Sequence, residues 1–189
     1  MKQKKIILAS NSPRRKELLS GLDLDFEVRI MEGIDEHYPA ELPTDQIAEY
    51  IAKKKATAYQ TTMSPDELVI TADTVVILDQ QVMGKPHDAD EARKMLRQLS
   101  GRTHKVMTGV VLSTLERQQS FSTCTLVTFK EFSEKEIDYY VSRYMPMDKA
   151  GAYGIQEWIG YIGVVSIEGS YFNVMGLPVQ RIYEALQSF

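Results

Sequence analysis

Apolar positions along the chain alternate between short continuous runs and helical spacings, and polar stretches separate them. Residues 6–9 form a short apolar run that predicts a buried strand. Ser10-Asn11-Ser12-Pro13 is a turn leading into a helix over 13–20, stopped at Gly21. A second strand is predicted at 26–30, and 33–43 is polar and irregular. Thr44 is placed as the N-cap of a long helix reaching residue 61, with Ile47, Ala48, Ile51, Ala52, Ala58 and Tyr59 on one arc. The β-branched run 68–78 predicts a strand. Asp88 caps the next helix, Glu91 takes the capping-box position, and Ala92, Met95, Leu96 and Leu99 supply its apolar face up to Gly101. Two long strands follow, 105–115 and 121–132; the polar turn 116–119 is short enough to make them antiparallel. Ser133 and Glu136 form a second capping box for a helix to residue 144. Residues 150–174, rich in glycine and aromatics, are predicted as strands and loops, and Pro178 opens a final helix. Helices interleaved with parallel and antiparallel strands give a mixed α/β fold.

Composition narrows the class. A chain of 189 residues suits one domain over 1–189, or one domain with two lobes. Apolar residues at 43% suffice for a core, and 25% charged residues argue against wholesale disorder. The net charge of -4 speaks against a nucleic-acid binder, which carries a basic excess, although a local basic pocket for an anionic substrate is compatible with it. Cys124 has no partner for a disulfide and no neighbouring histidine for zinc, so it reads as a small apolar filler within a strand. The N-terminus, Met1 to Ala9, is basic and then apolar only over 6–9, too short for a signal-peptide core, and no stretch approaches a membrane span. The expectation is a soluble cytoplasmic protein that does not associate with membranes.

Three features carry chemistry. In Ser12-Pro13-Arg14-Arg15, Ser12 is an N-cap, yet the next turn holds two cations where the helix N-terminus is already positive and an acid would stabilise it. An anion bound there would balance this, with free N–H groups and two guanidinium forks making a phosphate site. Lys55 lies within the apolar arc of its helix, while Lys53 projects from the opposite side and Lys54 from the edge. A lysine so placed must snorkel or meet an anion. Asp73 interrupts the apolar strand 69–77 and must be paired, hydrogen-bonded or metal-bound; a short break there would put it at a strand tip. Lys85 in Gly84-Lys85-Pro86 sits in a constrained loop just after that strand, and Asp35 with Glu36 could offer oxygens to a hard cation. No phosphate-loop motif, dinucleotide fingerprint or nucleophile elbow occurs, and His37, His87 and His104 are scattered.

Together these segments resemble the Maf nucleotide pyrophosphatases. The N-terminal signature is Leu8-Ala9-Ser10-Asn11-Ser12-Pro13-Arg14-Arg15, followed in order by Glu36, Lys55, Ala72-Asp73-Thr74-Val75-Val76 and Gly84-Lys85-Pro86. Then come Ser100-Gly101-Arg102-Thr103-His104, Thr108-Gly109-Val110, Asp148-Lys149-Ala150-Gly151-Ala152-Tyr153-Gly154-Ile155-Gln156, Gly169-Ser170-Tyr171 and Gly176-Leu177-Pro178. The resemblance implies an elongated mixed sheet flanked by helices, two lobes around a cleft, similar to inosine triphosphate pyrophosphatases. It implies hydrolysis of dTTP and UTP to the monophosphate and pyrophosphate with a divalent cation, Mg²⁺ or Mn²⁺, and a homodimer; some relatives are linked to arrest of septum formation. Asp73 corresponds to the proton acceptor, and Arg14, Thr74 and Gln156 to the markers of the dTTP/UTP branch. Ser12, Arg14, Arg15, Lys55 and Lys85 would neutralise phosphate charge, and Asp73 with Glu36 would hold the metal. Whether Asp73 is base, metal ligand or both stays open at this point, as do a purine or modified-nucleotide substrate and a nucleotide sensor without turnover.

Overall fold

The computed structural model describes residues 4–189; Met1–Gln3, part of the basic start, lie outside the described residues. Among the described residues seven strands form one mixed sheet in the order β2-β1-β3-β5-β6-β7, with β4 paired to β3. They are β1 (Lys5–Leu8), β2 (Phe26–Val28), β3 (Glu67–Leu78), β4 (Gln81–Met83), β5 (Thr103–Ser113), β6 (Gln118–Phe129) and β7 (Val164–Glu168). The helices are α1 (Pro13–Ser20), α2 (Ile47–Gln60), α3 (Ala89–Leu99), α4 (Glu134–Tyr144), α5 (Trp158–Gly163), α6 (Tyr171–Met175) and α7 (Val179–Leu186). This is the mixed α/β fold that the patterning predicts, with the helix-flanked sheet that the resemblance implies. No helix among the described residues is long and apolar enough to cross a membrane.

The chain divides into two compact units, and the boundary falls inside β3, between Asp73 and Thr74. The first unit takes the chain up to Asp73, Thr108–Thr123 and Gly176–Phe189. Here β1 pairs in parallel with β2, Ile6 opposite Phe26, and with β3, Ile7 opposite Val69. Helix α2 buries Ile47, Ala48, Ile51, Ala52, Ala56 and Tyr59. Its backbone lies directly on Gly109: a Cβ there would stand 2.2 Å from the Glu49 nitrogen, so only glycine fits. The buried Thr71 hydroxyl donates to the Ala52 carbonyl at 2.8 Å, fixing α2 against β3.

The second unit comprises Thr74–Met107 and Cys124–Met175. Its core gathers Val76, Leu96, Leu99, Val106, Phe129, Ile137 and Tyr140. Asp88 caps α3 by accepting the Glu91 N–H at 2.8 Å, and Ser133 with Glu136 completes a reciprocal capping box on α4. The hairpin β5–β6 is antiparallel: the Thr114 N–H donates to the Arg117 carbonyl in the first unit, and the Phe129 N–H to the Arg102 carbonyl in the second.

Several expectations change. Thr44 is no N-cap; Thr44–Gln46 form a 3₁₀ turn after Pro43, with no side-chain cap, and the α-helix starts at Ile47. The Glu91 carboxylate accepts the N–H of His87, one residue before the cap, so α3 lacks the reciprocal half of its box. Ala56, not Ala58, completes the buried arc of α2. Cys124 lies in β6 but is exposed, so it fills no core. Strand β3 runs through Asp73 without a break. The segment 150–174 contains α5 and α6 as well as β7; helices of six and five residues are too short to impose an apolar period on the sequence.

Candidate active site

Strand β3 is buried at every position except two. Asp73 and Thr74 are partly exposed between flanks that are wholly buried. Strand β1 pairs with β3 at Glu67–Ile70 and β4 pairs with it at Val76–Leu78, leaving Asp73 in the stretch between these partners. The gap is closed by a side chain. Arg15, in the first turn of α1, donates from Nη1 to the Ala72 carbonyl and from Nε to the Gly176 carbonyl, both at 2.8 Å. An unpaired backbone carbonyl would be costly in this setting, and the guanidinium fork satisfies two.

The first turn of α1 holds no acid. Ser12 is its N-cap, its hydroxyl oxygen accepting the Arg15 N–H at 3.4 Å. Burial pushes the Arg15 guanidinium down from its ordinary value and Arg14 adds repulsion, while the carboxylates of Asp73 and Glu36 pull it back up.

Lys55 resolves the choice between snorkelling and pairing. Its side chain is 14% exposed, and its ammonium donates to Asp73 Oδ1 and to Glu36 Oε1, each at 2.8 Å. Lys54, one residue earlier, reaches Asp35 at 2.6 Å and the His37 carbonyl at 3.0 Å. Consecutive lysines of α2 thus hold consecutive acids of the loop, and Glu36 is delivered beside Asp73. Lys54, His37 and the His37 N–H hold the Asp35 carboxyl below the usual carboxylate range.

Among the described residues no group of three or more His, Cys, Asp or Glu side chains could hold a metal ion. The two carboxylates on Lys55 nonetheless match the mode in which Mg²⁺ is held by one or two carboxylates plus substrate phosphates. Asp35 is committed to Lys54 and His37 and adds no ligand to this pair.

The second unit carries Thr74, Lys85 and Gln156. Lys85 is exposed just after β4, in a loop whose Gly84 carbonyl accepts the Gly151 N–H at 3.0 Å. Gln156 presents a buried Oε1 that has no hydrogen-bond partner among the described residues. Two residues that the sequence leaves unassigned hold its segment. The Tyr140 hydroxyl accepts the Gly154 N–H at 3.0 Å and donates to Glu157 Oε2, and Glu157 Oε1 meets the Lys149 ammonium at 3.1 Å. The sequence signal for them is weak: Glu157 only closes the run 150–156, and nothing sets Tyr140 apart from its neighbours in α4.

A family model described as Maf-like protein matches residues 5–189. The dTTP/UTP pyrophosphatase of Phocaeicola vulgatus is 65% identical over 183 residues, covering 97% of this chain and 95% of that one. The protein of the same name from Bacteroides thetaiotaomicron is 59% identical, covering 96% and 94%. Among solved structures, a nucleoside-triphosphatase / dITP/XTP pyrophosphatase from Mycobacterium abscessus aligns with a TM-score of 0.40 and 15% identity, over 68% of this chain and 75% of that one, a likeness too slight to bear on the fold. With a family match from β1 to the final residue and relatives this similar over nearly their whole length, the chain belongs to the Maf family.

Proposed function

We propose that this enzyme hydrolyses dTTP and UTP to the monophosphate and pyrophosphate, with Asp73 as the general base. The observation that carries the reading is the convergence of Asp73 and Glu36 on the Lys55 ammonium, at 2.8 Å each, in a chain 65% identical to a dTTP/UTP pyrophosphatase. In this reading water attacks the α-phosphorus, its proton passes to the Asp73 carboxylate, and the bond from the α-phosphorus to the bridging oxygen breaks to release pyrophosphate. Arg14 and Lys85 take phosphate oxygens at the start of α1 and after β4, with Ser12 ordering the helix terminus. Arg15, whose Nε and Nη1 already serve two carbonyls, holds the backbone beside Asp73. Glu36 and Asp73 are the residues that would hold Mg²⁺ or Mn²⁺, which when bound neutralises phosphate charge and polarises the α-phosphate. Lys55, paired here with both carboxylates, would be free to take a phosphate oxygen once they hold the cation. Gln156 and Thr74 select the base: phosphates are common to all nucleotides, whereas a planar amide offers a donor and an acceptor to a base edge.

The reading includes a homodimer in the cytoplasm, on the family resemblance, and treats any link to septum formation as a consequence of nucleotide hydrolysis. The test is pyrophosphate release from dTTP, UTP, CTP, ATP and GTP, each with Mg²⁺, with Mn²⁺ and with chelator. Preference for dTTP and UTP that disappears with chelator is expected; a purine preference, or tight binding without pyrophosphate release, would overturn it. Light scattering of the purified protein reports the dimer.

A further inference from the structure

Gln156 can serve as a base reader only if its amide has one orientation, because a flipped amide exchanges donor and acceptor. The surroundings supply the reason for one orientation. A Cβ built on Gly154 would stand 3.0 Å from Gln156 Nε2, 2.9 Å from Glu157 Cδ and 3.1 Å from Glu157 Oε2. The amide nitrogen and the carboxylate therefore both border the space above the Gly154 backbone, where any side chain would displace them. A carboxylate accepts hydrogen bonds and donates none, so it favours the NH₂ end of the amide at its side and disfavours the carbonyl end. That leaves Oε1 as the end turned away from the carboxylate, and it is this atom that is buried without a partner among the described residues.

Glu157 is itself fixed. Although it stands at the N-cap of α5, its side chain makes no cap bond. It is held between Tyr140 and Lys149, and Lys149 is also tied to Asp148 at 2.7 Å. Burial first, and the adjacent Glu157 carboxylate second, push the Tyr140 phenol well above its ordinary range, so it remains a donor at any working pH.

We propose that Glu157, braced by Tyr140, is a positioning residue that locks the Gln156 amide with its oxygen toward the base, and thereby selects bases bearing an N3–H, uracil and thymine, over cytosine, whose N3 is an acceptor. The proposal rests on Gln156 reading the base. The proposal gives Glu157 and Tyr140 no part in the proton transfer, so their loss should change the choice of base more than the rate of the chemistry.

The experiment measures kcat/KM for dTTP, UTP, CTP and ATP on the full chain and four variants: Glu157→Gln, Tyr140→Phe, Gln156→Ala, and Glu157→Gln combined with Gln156→Ala. Glu157→Gln keeps the shape and removes the charge that orients the amide. It should narrow the dTTP/CTP ratio by about three- to tenfold, the worth of one neutral hydrogen bond, partly through a gain in CTP turnover. Tyr140→Phe should narrow it in the same direction and serves if Glu157→Gln is poorly folded. In the Gln156→Ala background Glu157→Gln should leave the ratio where it is. A purely structural role predicts equal losses on every nucleotide and a lower melting temperature. Such a result, with Gln156→Ala still narrowing the ratio, overturns the lock and spares the base-reading assignment. If Gln156→Ala leaves the pyrimidine preference intact, the assignment fails and the lock fails with it.

Discussion

At the scale of single residues, the site rests on charges placed where an apolar pattern had no room for them. Asp73 within a β-branched strand and Lys55 within an apolar helical arc are both legible as exceptions, and they are each other's partners at 2.8 Å. Replacing Asp73 by Asn removes the proposed base and leaves a hydrogen-bonding group of the same shape. Turnover should fall by about 10²–10⁴ while the melting temperature holds; a kcat within a few-fold of wild type would remove Asp73 from the chemistry. Lys55→Met is more severe than its sequence position suggests. Methionine suits the apolar arc, but the change leaves the Asp73 carboxylate, only 15% exposed, without its nearest cation. A stability loss of about 1–3 kcal/mol is expected, as for a polar group deprived of its partner. Combining Lys55→Met with Asp73→Asn should return part of that loss, because the neutral amide needs no cation. Urea titrations of both single variants and the pair test this, and additive losses would argue against the pairing. Arg15 was not legible in the same way: a guanidinium at a helix start reads as an anion ligand, and only the fold shows two carbonyls on it, one from residue 72 and one from residue 176.

At the scale of elements, what could be read depended on whether a signal was local. Caps are local, and Asp88 and Ser133 stand at the helix starts that their side chains imply. Hairpins are local too, and the turn after β5 makes β5 and β6 antiparallel. Thr44 before an apolar arc resembles a cap, whereas Pro43 and a 3₁₀ turn carry the chain into α2. The expected break at Asp73 does not occur because Arg15 supplies a long-range bond to a carbonyl that no neighbouring strand reaches. Contacts between elements were invisible altogether, and Gly109 is the clearest case. Its motif marks it only as a glycine, but α2 crosses β5 on its bare Cα, with the Ala48 carbonyl carbon 2.4 Å and the Glu49 nitrogen 2.2 Å from where a Cβ would be. Both are backbone atoms, so no rotamer change relieves the clash. Gly109→Ala should cost at least the ~1–3 kcal/mol of ordinary overpacking. Gly84→Ala, with nothing within 4 Å of its Cβ, should stay within about 0.5 kcal/mol. Thermal melts of the two variants side by side decide the matter, and equal melting temperatures would mean that α2 does not sit on β5 as described.

At the scale of the whole molecule, two buried ionisable groups tie stability to pH, and both act in the same direction. His104 is 2% exposed; its Nε2 bonds the Tyr153 hydroxyl at 2.7 Å and its Nδ1 has no partner among the described residues. Burial lowers its pKa from 6.5 to about 4, so the native state keeps the ring neutral where the unfolded chain begins to protonate it. Between those values the unfolded state binds more protons, and stability therefore falls as pH falls. The stability is complete above pH 6.5, and the loss is finished near pH 4. At 1.36 kcal/mol per unit, the window is worth about 3 kcal/mol. Glu67 continues the trend at lower pH. Its hydrogen bonds to Arg29 hold it at about 2 against an ordinary 4.5, so the stability it contributes is present above 4.5 and lost on the way down to 2. The two windows can be separated by mutation. His104→Gln keeps a polar group for Tyr153 and removes the titration, so its unfolding free energy should be nearly level from pH 6.5 to 4.5 while the wild type declines. Arg29→Met should leave that upper limb unchanged and flatten the limb below pH 4.5. Denaturant unfolding at half-unit pH steps measures both slopes. A wild type with no decline between pH 6.5 and 4.5, or a His104→Gln variant that declines just as steeply, would show that His104 titrates in the native state much as it does in the unfolded chain.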